Sequence, residues 1–469
     1  MNKIYLIIAL ITLLFSCKED NKGERLYAVS FAVPSINVSP QGVTQVKVMF
    51  SQPTTQAGTL RIRLDNEQTV YGVDYITNPE FVNDELSLEF EKGVSAVSFD
   101  FQSFVQQQEG MSKRVIFSLV SNTIDYTILS NTSIILNFAE TALIGSSLAP
   151  EVGGANQPNQ VYVDLSSGQM TAVPRTSWDL GFYTGDDYRV ILNSSVKMSA
   201  KSLQTTDISL LASEDSSMLI GQGAGNASQI DDPSGDITQT AIAAIAQDDA
   251  QNQVYLINLG SNPSSVPPTL GSVGTDTGTH RGWIKARILR HAGGGYLLQY
   301  ANLDQSDYQE IVIDKQTDYN FVFFSFNTQS QVMVEPHKTQ WDLNFTTFTN
   351  TFEFGGVLLP YFYSDFILNN SRAGVEVYSV STDDYTYESF SYSDVDYANF
   401  QNNQTTIGAT WRSTSTTGPD GVPISQFEVF TNLFYIIKDT SGNIYKLKMT
   451  QGVLENGERG HPRFVYQLL

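Results

Sequence analysis

The chain has 469 residues, of which 41% are hydrophobic, 12% aromatic and only 16% charged, and its formal net charge is −22. That length exceeds what one hydrophobic core organises, so two or three domains are expected. A surface this acidic repels nucleic acid and anionic lipid headgroups, which excludes nucleic acid as a partner. Thr, Ser, Asn, Gln, Tyr and Val abound, a mix that favours short half-buried strands and polar turns, so the predicted fold class is all-β.

The N-terminus reads as an address. One early cation, Lys3, precedes an apolar run from Ile4 to Phe15, which has the length of a signal-peptide core and is too short to span a bilayer comfortably. The run ends in Leu14-Phe15-Ser16-Cys17 and resembles a bacterial lipobox. Residues 1–17 are therefore predicted to be a lipoprotein signal peptide, with Cys17, the sole cysteine, as the lipidation site. Two or more acyl chains give stable anchoring. The expected location is the outer membrane, lipid-anchored and cell-surface exposed. Lys18-Glu19-Asp20 directly after the cysteine resembles a surface-export signal.

Residues 28–140 read as one β-sandwich. Alternating segments such as "GTLRIRLD", "LSLEFEKG", "VSAVSFDFQSF", "KRVIFSLVS" and "SIILNF" are separated by turn residues at sandwich spacing. With "YGVDYIT" and the glycine turn at Gly93, the module resembles a Calx-beta domain. Some members of that family bind Ca²⁺ through loop carboxylates, which makes Ca²⁺ a candidate ligand here. The loop acids are few (Asp74, Asp84, Glu85), and Asp74 also reads as a turn residue bonding its own backbone. Residues 141–157, "TALIGSSLAPEVGGANQ", are aperiodic and read as a linker.

Beyond the linker the sequence repeats itself. "VYVDLSSGQMTAVP" (161–174) lies over "FFSFNTQSQVMVEP" (323–336), and Trp178-Asp179-Leu180 matches Trp341-Asp342-Leu343. "YRVILNSSVKMSAKSL" (188–203) echoes "SDFILNNSRAGVEVYSV" (364–380), and "KARILRHAGGGYLLQYANL" (285–303) echoes "FYIIKDTSGNIYKLKMTQG" (434–452). Four matches in one order indicate a tandem duplication, with units at 158–316 and 317–469. In W-D-L-x-F, Trp, Leu and Phe recur at period two and are expected to share one core face, with the Asp bonding a neighbouring loop or meeting solvent. Residues 236–249, "DITQTAIAAIAQDD", are predicted to form a short helix.

The motifs "VYVDLSSGQMTAVPRTSWDLGF", "QWDLNFTTF", "GGVLL", "ILNNSRAGVEVYSV" and "TIGATWR", with the C-terminal "FYIIKDTSGNIYKLKMTQGVLENGERGHPRFVYQLL", resemble the HmuY family of haem-binding surface lipoproteins. The resemblance implies two tandem β-rich HmuY-like units, haem as cofactor, and delivery of haem to an outer-membrane transporter of the TonB-dependent kind. Family members hold the iron between two His or two Met side chains, which leaves no open site for oxygen chemistry. Met198, Met170 and His337 are the ligand candidates. Each Met also reads as core filler and His337 as an exposed turn residue. Arg281, Lys285, Arg287 and Arg290 could meet haem propionates or could cover a solvated face. No G-x-S-x-G, H-E-x-x-H or phosphate-binding loop occurs, so no enzyme is expected. The alternative is a non-enzymatic adhesion or interaction lipoprotein that keeps the scaffold without haem.

Overall fold

The structure is a computed structural model that describes residues 27–38, 42–104, 113–123, 127–129, 132–138, 146–221, 224–417 and 423–469. The leader and Cys17 lie outside the described residues. The fold is all-β: among the described residues the helical turns are three-residue 3-10 turns.

Period-two alternation builds the N-terminal module. In Gly58–Glu67 the residues Leu60, Ile62 and Leu64 are buried while Arg61, Arg63 and Asp65 face out. One sheet runs Tyr75–Asn78, Ala96–Ser103, Val43–Phe50, Tyr27–Phe31, Thr127–Leu129. The facing strands are Ser35–Val38, Ser133–Phe138, Arg114–Asn122, Gly58–Glu67 and Glu85–Phe90. Val46, Ile62, Phe99, Phe117 and Leu136 belong to the single core cluster that fills the sandwich. The second sheet does not stop at the module edge. Ser35–Val38 also pairs with Met170–Pro174, Ile36 opposite Thr171, so one nine-stranded sheet crosses from the sandwich into the repeats.

The repeats are interlocked. Unit one supplies the hairpin Asn159–Val163/Met170–Pro174, and the first of these strands pairs with the unit-two strand Leu343–Phe354. Unit two supplies the hairpin Phe321–Ser325/Ser330–Val332, and its first strand pairs with the unit-one strand Leu180–Tyr183. The same exchange recurs farther out. Ser146–Leu148 pairs with the C-terminal strand Arg459–Leu468, and Gln309–Ile313 pairs with Tyr296–Ala301 of unit one. Within the expected linker, Ser146–Leu148 is thus a strand that completes the sheet of the second unit. Gln309–Ile313, at the end of the expected first unit, does the same for the first sheet.

Pairing corrects two details of the sequence alignment. Val163 opposes Leu343 and Phe324 opposes Leu180, so Val163 matches Phe324 and the proline-anchored overlay is one residue out of register. The hairpin Val254–Asn258/Trp283–Arg290, not the following one, matches Leu433–Lys438/Ile444–Val453. Lys285 and Lys446 mark the equivalence: both are buried, and each amine donates to two loop carbonyls, Leu210 O and Gln305 O, or Tyr387 O and Phe390 O.

The expected helix at 236–249 is absent. Its backbone N–H groups are taken by other partners: Ala241 by the Asp231 carboxylate, Ala243 by the Tyr255 hydroxyl, Ile245 by Tyr188 O and Ala246 by Asn252 Oδ1. Each bond competes with an intrahelical one. Ile242 and Ile245 plug the core of the first unit instead.

Candidate functional site

The two W-D-L strings meet at the seam between the units. Trp178, Tyr162 and Val173 join Trp341, Phe323 and Val334 in one small buried cluster. Each indole packs edge-on against an aromatic ring of the exchanged hairpin, Trp178 on Phe323 at 4.8 Å and Trp341 on Tyr162 at 5.0 Å. The expectation that Trp, Leu and Phe share one core face is corrected here. Leu180 and Phe182 enter the core of the first unit, and Leu343 and Phe345 that of the second, while both tryptophans turn to the seam. The strands begin at Leu180 and Leu343, after the tryptophans, so strict alternation does not reach back to the rings.

Between them the aspartates are buried and bond a loop of the opposite unit. Asp179 accepts the Phe326 N–H at 2.7 Å and Asp342 accepts the Leu165 N–H at 2.8 Å. Their electrostatics differ. Burial raises both carboxyls, but Asp179 is ion-paired with Arg281 at 2.7 Å, whereas among the described residues Asp342 has no cation beside it and burial pushes its carboxyl up to about 8. Asn193 and Asn370 close the two turns in parallel. Asn193 donates to the carbonyls of Arg175 and Trp178, Asn370 to those of Lys338 and Trp341.

A cavity of about 140 Å³ lies in this seam, lined among others by Gln160, Tyr162, Trp178, Phe323, Trp341 and Asn344. Glu335 and Asp231 also line it; burial raises their carboxyls to about 8 and about 7. A wider cleft of about 560 Å³ is lined by Thr176, Asp179, His280, Arg281, Trp283 and Asn327 among others.

Residues 156–281 and 317–466 match the family model described as "HmuY protein", which is more than half of the chain. The chain belongs to the HmuY family. No protein of curated function matches it significantly. Solved structures similar to parts of it include the apo-form Calx CBD1 domain, 12% identical over 25% of this chain and 100% of that one, TM-score 0.21. CBD12 from CALX1.2 is 12% identical over 31% of this chain and 75% of that one, TM-score 0.21. A chaperone-tip adhesin complex of CFA/I fimbriae is 9% identical over 35% and 81%, TM-score 0.20. Likenesses this weak carry no argument.

The HmuY match makes this a member of a haem-binding type of family, and the residues present can be tested against that group. Met198 is 1% exposed inside the core of the first unit. Met170 is half-buried against the core of the second, and His337 is a half-buried loop residue with Nδ1 at 2.9 Å from the Thr339 hydroxyl and Nε2 at 3.7 Å from an Asp318 carboxylate oxygen. The structure does not bring the three together, and none of them lines either cavity. His280, in the wider cleft, has both nitrogens engaged: Nε2 lies 2.8 Å from Asn258 Oδ1, and Nδ1 accepts the Gly282 N–H at 3.1 Å. That cleft has no Met and no second His on its walls. Met198, Met170, His337 and His280 therefore do not pair into a two-sided iron clamp among the described residues.

The basic cluster runs from the buried Lys285 to the exposed Arg290, and its members are engaged within the first unit. Arg281 pairs with Asp179, Lys285 and Arg287 bond loop carbonyls, and Arg290 bonds Ile245 O and lies 4.2 Å over the Tyr188 ring. Ca²⁺ is not supported either. Among the described residues no group of three or more His, Cys, Asp or Glu side chains gathers. Asp74 holds its own turn through the Val70 N–H at 2.7 Å and pairs with Lys113 at 2.8 Å.

Proposed function

We propose that this HmuY-family protein is a lipid-anchored, surface-exposed lipoprotein of the outer membrane that works by binding and performs no catalysis. In this reading it presents its ligand to an outer-membrane transporter of the TonB-dependent kind, and it does so without the family's two-sided haem ligation. The family match and the leader ending in Cys17 support the surface-lipoprotein part. The observation that carries the departure from the family's haem ligation is the separation of Met198, Met170 and His337 into a core, a second core and a half-buried loop. Haemin titrated into the full chain should give no sharp, stoichiometric Soret band of a two-ligand complex. Such a band, abolished by Met198→Ala or His337→Ala, would overturn the reading.

A second reading rests on the wider cleft. Its volume falls within the roughly 300–1,000 Å³ usual for ligand pockets, and His280, Arg281 and Trp283 line it. Haem held there would depend on His280 alone among the histidines. A Soret shift lost in His280→Ala and kept in Met198→Ala would favour this version.

A further inference from the structure

The seam cavity is polar in an unusual way. Five side-chain atoms on residues that line it are buried with no hydrogen-bond partner: Gln160 Nε2, the indole Nε1 of Trp178 and of Trp341, Asn344 Oδ1 and Asn369 Oδ1. All five residues are less than a tenth exposed. Buried polar atoms are paired in the great majority of cases, so a cluster of orphans around one void marks a place where bonds are made to something else. Both tryptophans of the duplicated motif contribute, one from each unit, and the site exists only because the units are interlocked.

From this geometry we propose that the seam cavity binds one neutral, planar, six-membered ring carrying both hydrogen-bond donors and acceptors, of the size and kind of a pyrimidine base. Size limits the occupant first. An engineered apolar cavity of about 150 Å³ admits benzene, and this one measures about 140 Å³, so a porphyrin is far too large. The lining includes the aromatic residues Tyr162, Phe321, Phe323 and Phe348, which suit a flat ring.

Charge limits it next. The three orphan N–H groups disfavour a cation and the two orphan carbonyl oxygens disfavour an anion. The guanidinium of Arg372, the cationic side chain on the wall, donates to Gly235 O and has its charge offset by the Asp236 carboxylate, so an anion gains no uncompensated cation. Asp236 on the same wall is held down to about 2 by its hydrogen bonds and interacts with the Arg372 guanidinium, so these two charges offset each other, while Glu335, raised to about 8 by burial, adds little charge near neutral pH. Three donors and two acceptors remain to be matched, and a ring bearing carbonyl oxygens and ring N–H groups matches them. The proposal does not rest on the haem question, since it concerns a different cavity.

The test is calorimetric titration of the full chain with uracil, with benzene, benzoate and benzylammonium as comparisons. Uracil should bind with one-to-one stoichiometry, at least about tenfold more tightly than any of the other three, since one lost hydrogen bond to a neutral group corresponds to roughly that factor. Trp178→Phe and Trp341→Phe keep a ring but lose the N–H, and each should weaken uracil about tenfold while leaving benzene within about twofold. Gln160→Met removes an amide without shortening the side chain and gives the same readout should either tryptophan variant fail to fold. Benzene binding as tightly as uracil, a charged comparison binding better, or no uracil binding because ordered water alone satisfies the five atoms would each overturn the proposal.

Discussion

Glu335 offers a direct test of the electrostatics at the seam. It is 5% exposed, and its Oε1 accepts the N–H groups of Asn320 at 2.6 Å and Phe321 at 2.9 Å. Burial outweighs both bonds and raises the carboxyl from 4.5 to about 8. In the unfolded chain the same group ionises near its ordinary value. Between pH 4.5 and about 8 the unfolded state therefore binds fewer protons than the native state. The Glu335 contribution is fully present below pH 4.5 and is lost as pH rises through that window, at about 1.4 kcal/mol per pH unit. Across the window the loss reaches on the order of 5 kcal/mol, an upper bound for a group that can relax toward water. Glu335→Gln keeps an Oε1 acceptor for both N–H groups and cannot ionise. The variant should match the wild type near pH 4 and become progressively more stable than it up to about pH 8. Urea unfolding followed by tryptophan emission reads this out cleanly, because Trp178, Trp283, Trp341 and Trp411 all lie beyond the sandwich. Stability curves that stay parallel from pH 4 to 9 would refute the assignment of a buried neutral Glu335.

The two motif aspartates should respond differently to one substitution. Asp179→Asn strips Arg281 of its buried partner and should cost about 3 kcal/mol or more, whereas Asp342→Asn, with no cation to orphan, should cost under about 1 kcal/mol near pH 4 and become stabilising as pH rises from there toward about 8; equal costs in urea melts would contradict the asymmetry. Gly260 has φ of +73°, and a Cβ there would sit 1.8 Å from Val196 O, while Gly271 at φ +82° has nothing within 4 Å. Gly260→Ala should therefore lose at least about 3 kcal/mol and Gly271→Ala only the roughly 1–2 kcal/mol of a left-handed alanine, and similar melting shifts for both would argue against the close packing at Gly260.

Much of the fold was legible because alternation is a local property. Leu60-Arg61-Ile62-Arg63-Leu64 announces a half-buried strand by itself, and the structure places those residues accordingly. Duplication was legible for the same reason: Trp178-Asp179-Leu180 and Trp341-Asp342-Leu343 are recognisable without knowing what they touch. The helix reading failed because Ile242 and Ile245 have a spacing that fits a helix, while the competing partners, Asp231, Tyr188, Tyr255 and Asn252, come from elsewhere in the chain. The register slip arose because the prolines at 174 and 336 are not equivalent. The hairpins match at Val163 and Phe324, so two more residues separate hairpin from tryptophan in unit two than in unit one.

The exchange of strands was not legible at all, and the reason is physical. Two hairpins of similar sequence can each complete either unit, and a residue pattern specifies which face is apolar but not which of two equivalent edges a strand will join. The choice falls to connection length and to the groups that only the exchanged pairing satisfies. Here those are Asp179 with the Phe326 N–H and Asp342 with the Leu165 N–H, each a buried carboxylate in one unit bonded to a loop contributed by the other. An orphaned buried carboxylate is costly, so the two aspartates penalise separation of the units twice over. The same exchange places both indoles around one void. A duplicated unit that kept its own hairpin would bring its tryptophan against its own strand and leave no shared wall. The seam cavity is thus a product of the duplication itself, which is why motif inspection of either copy alone, Met198 and Met170 included, pointed away from it.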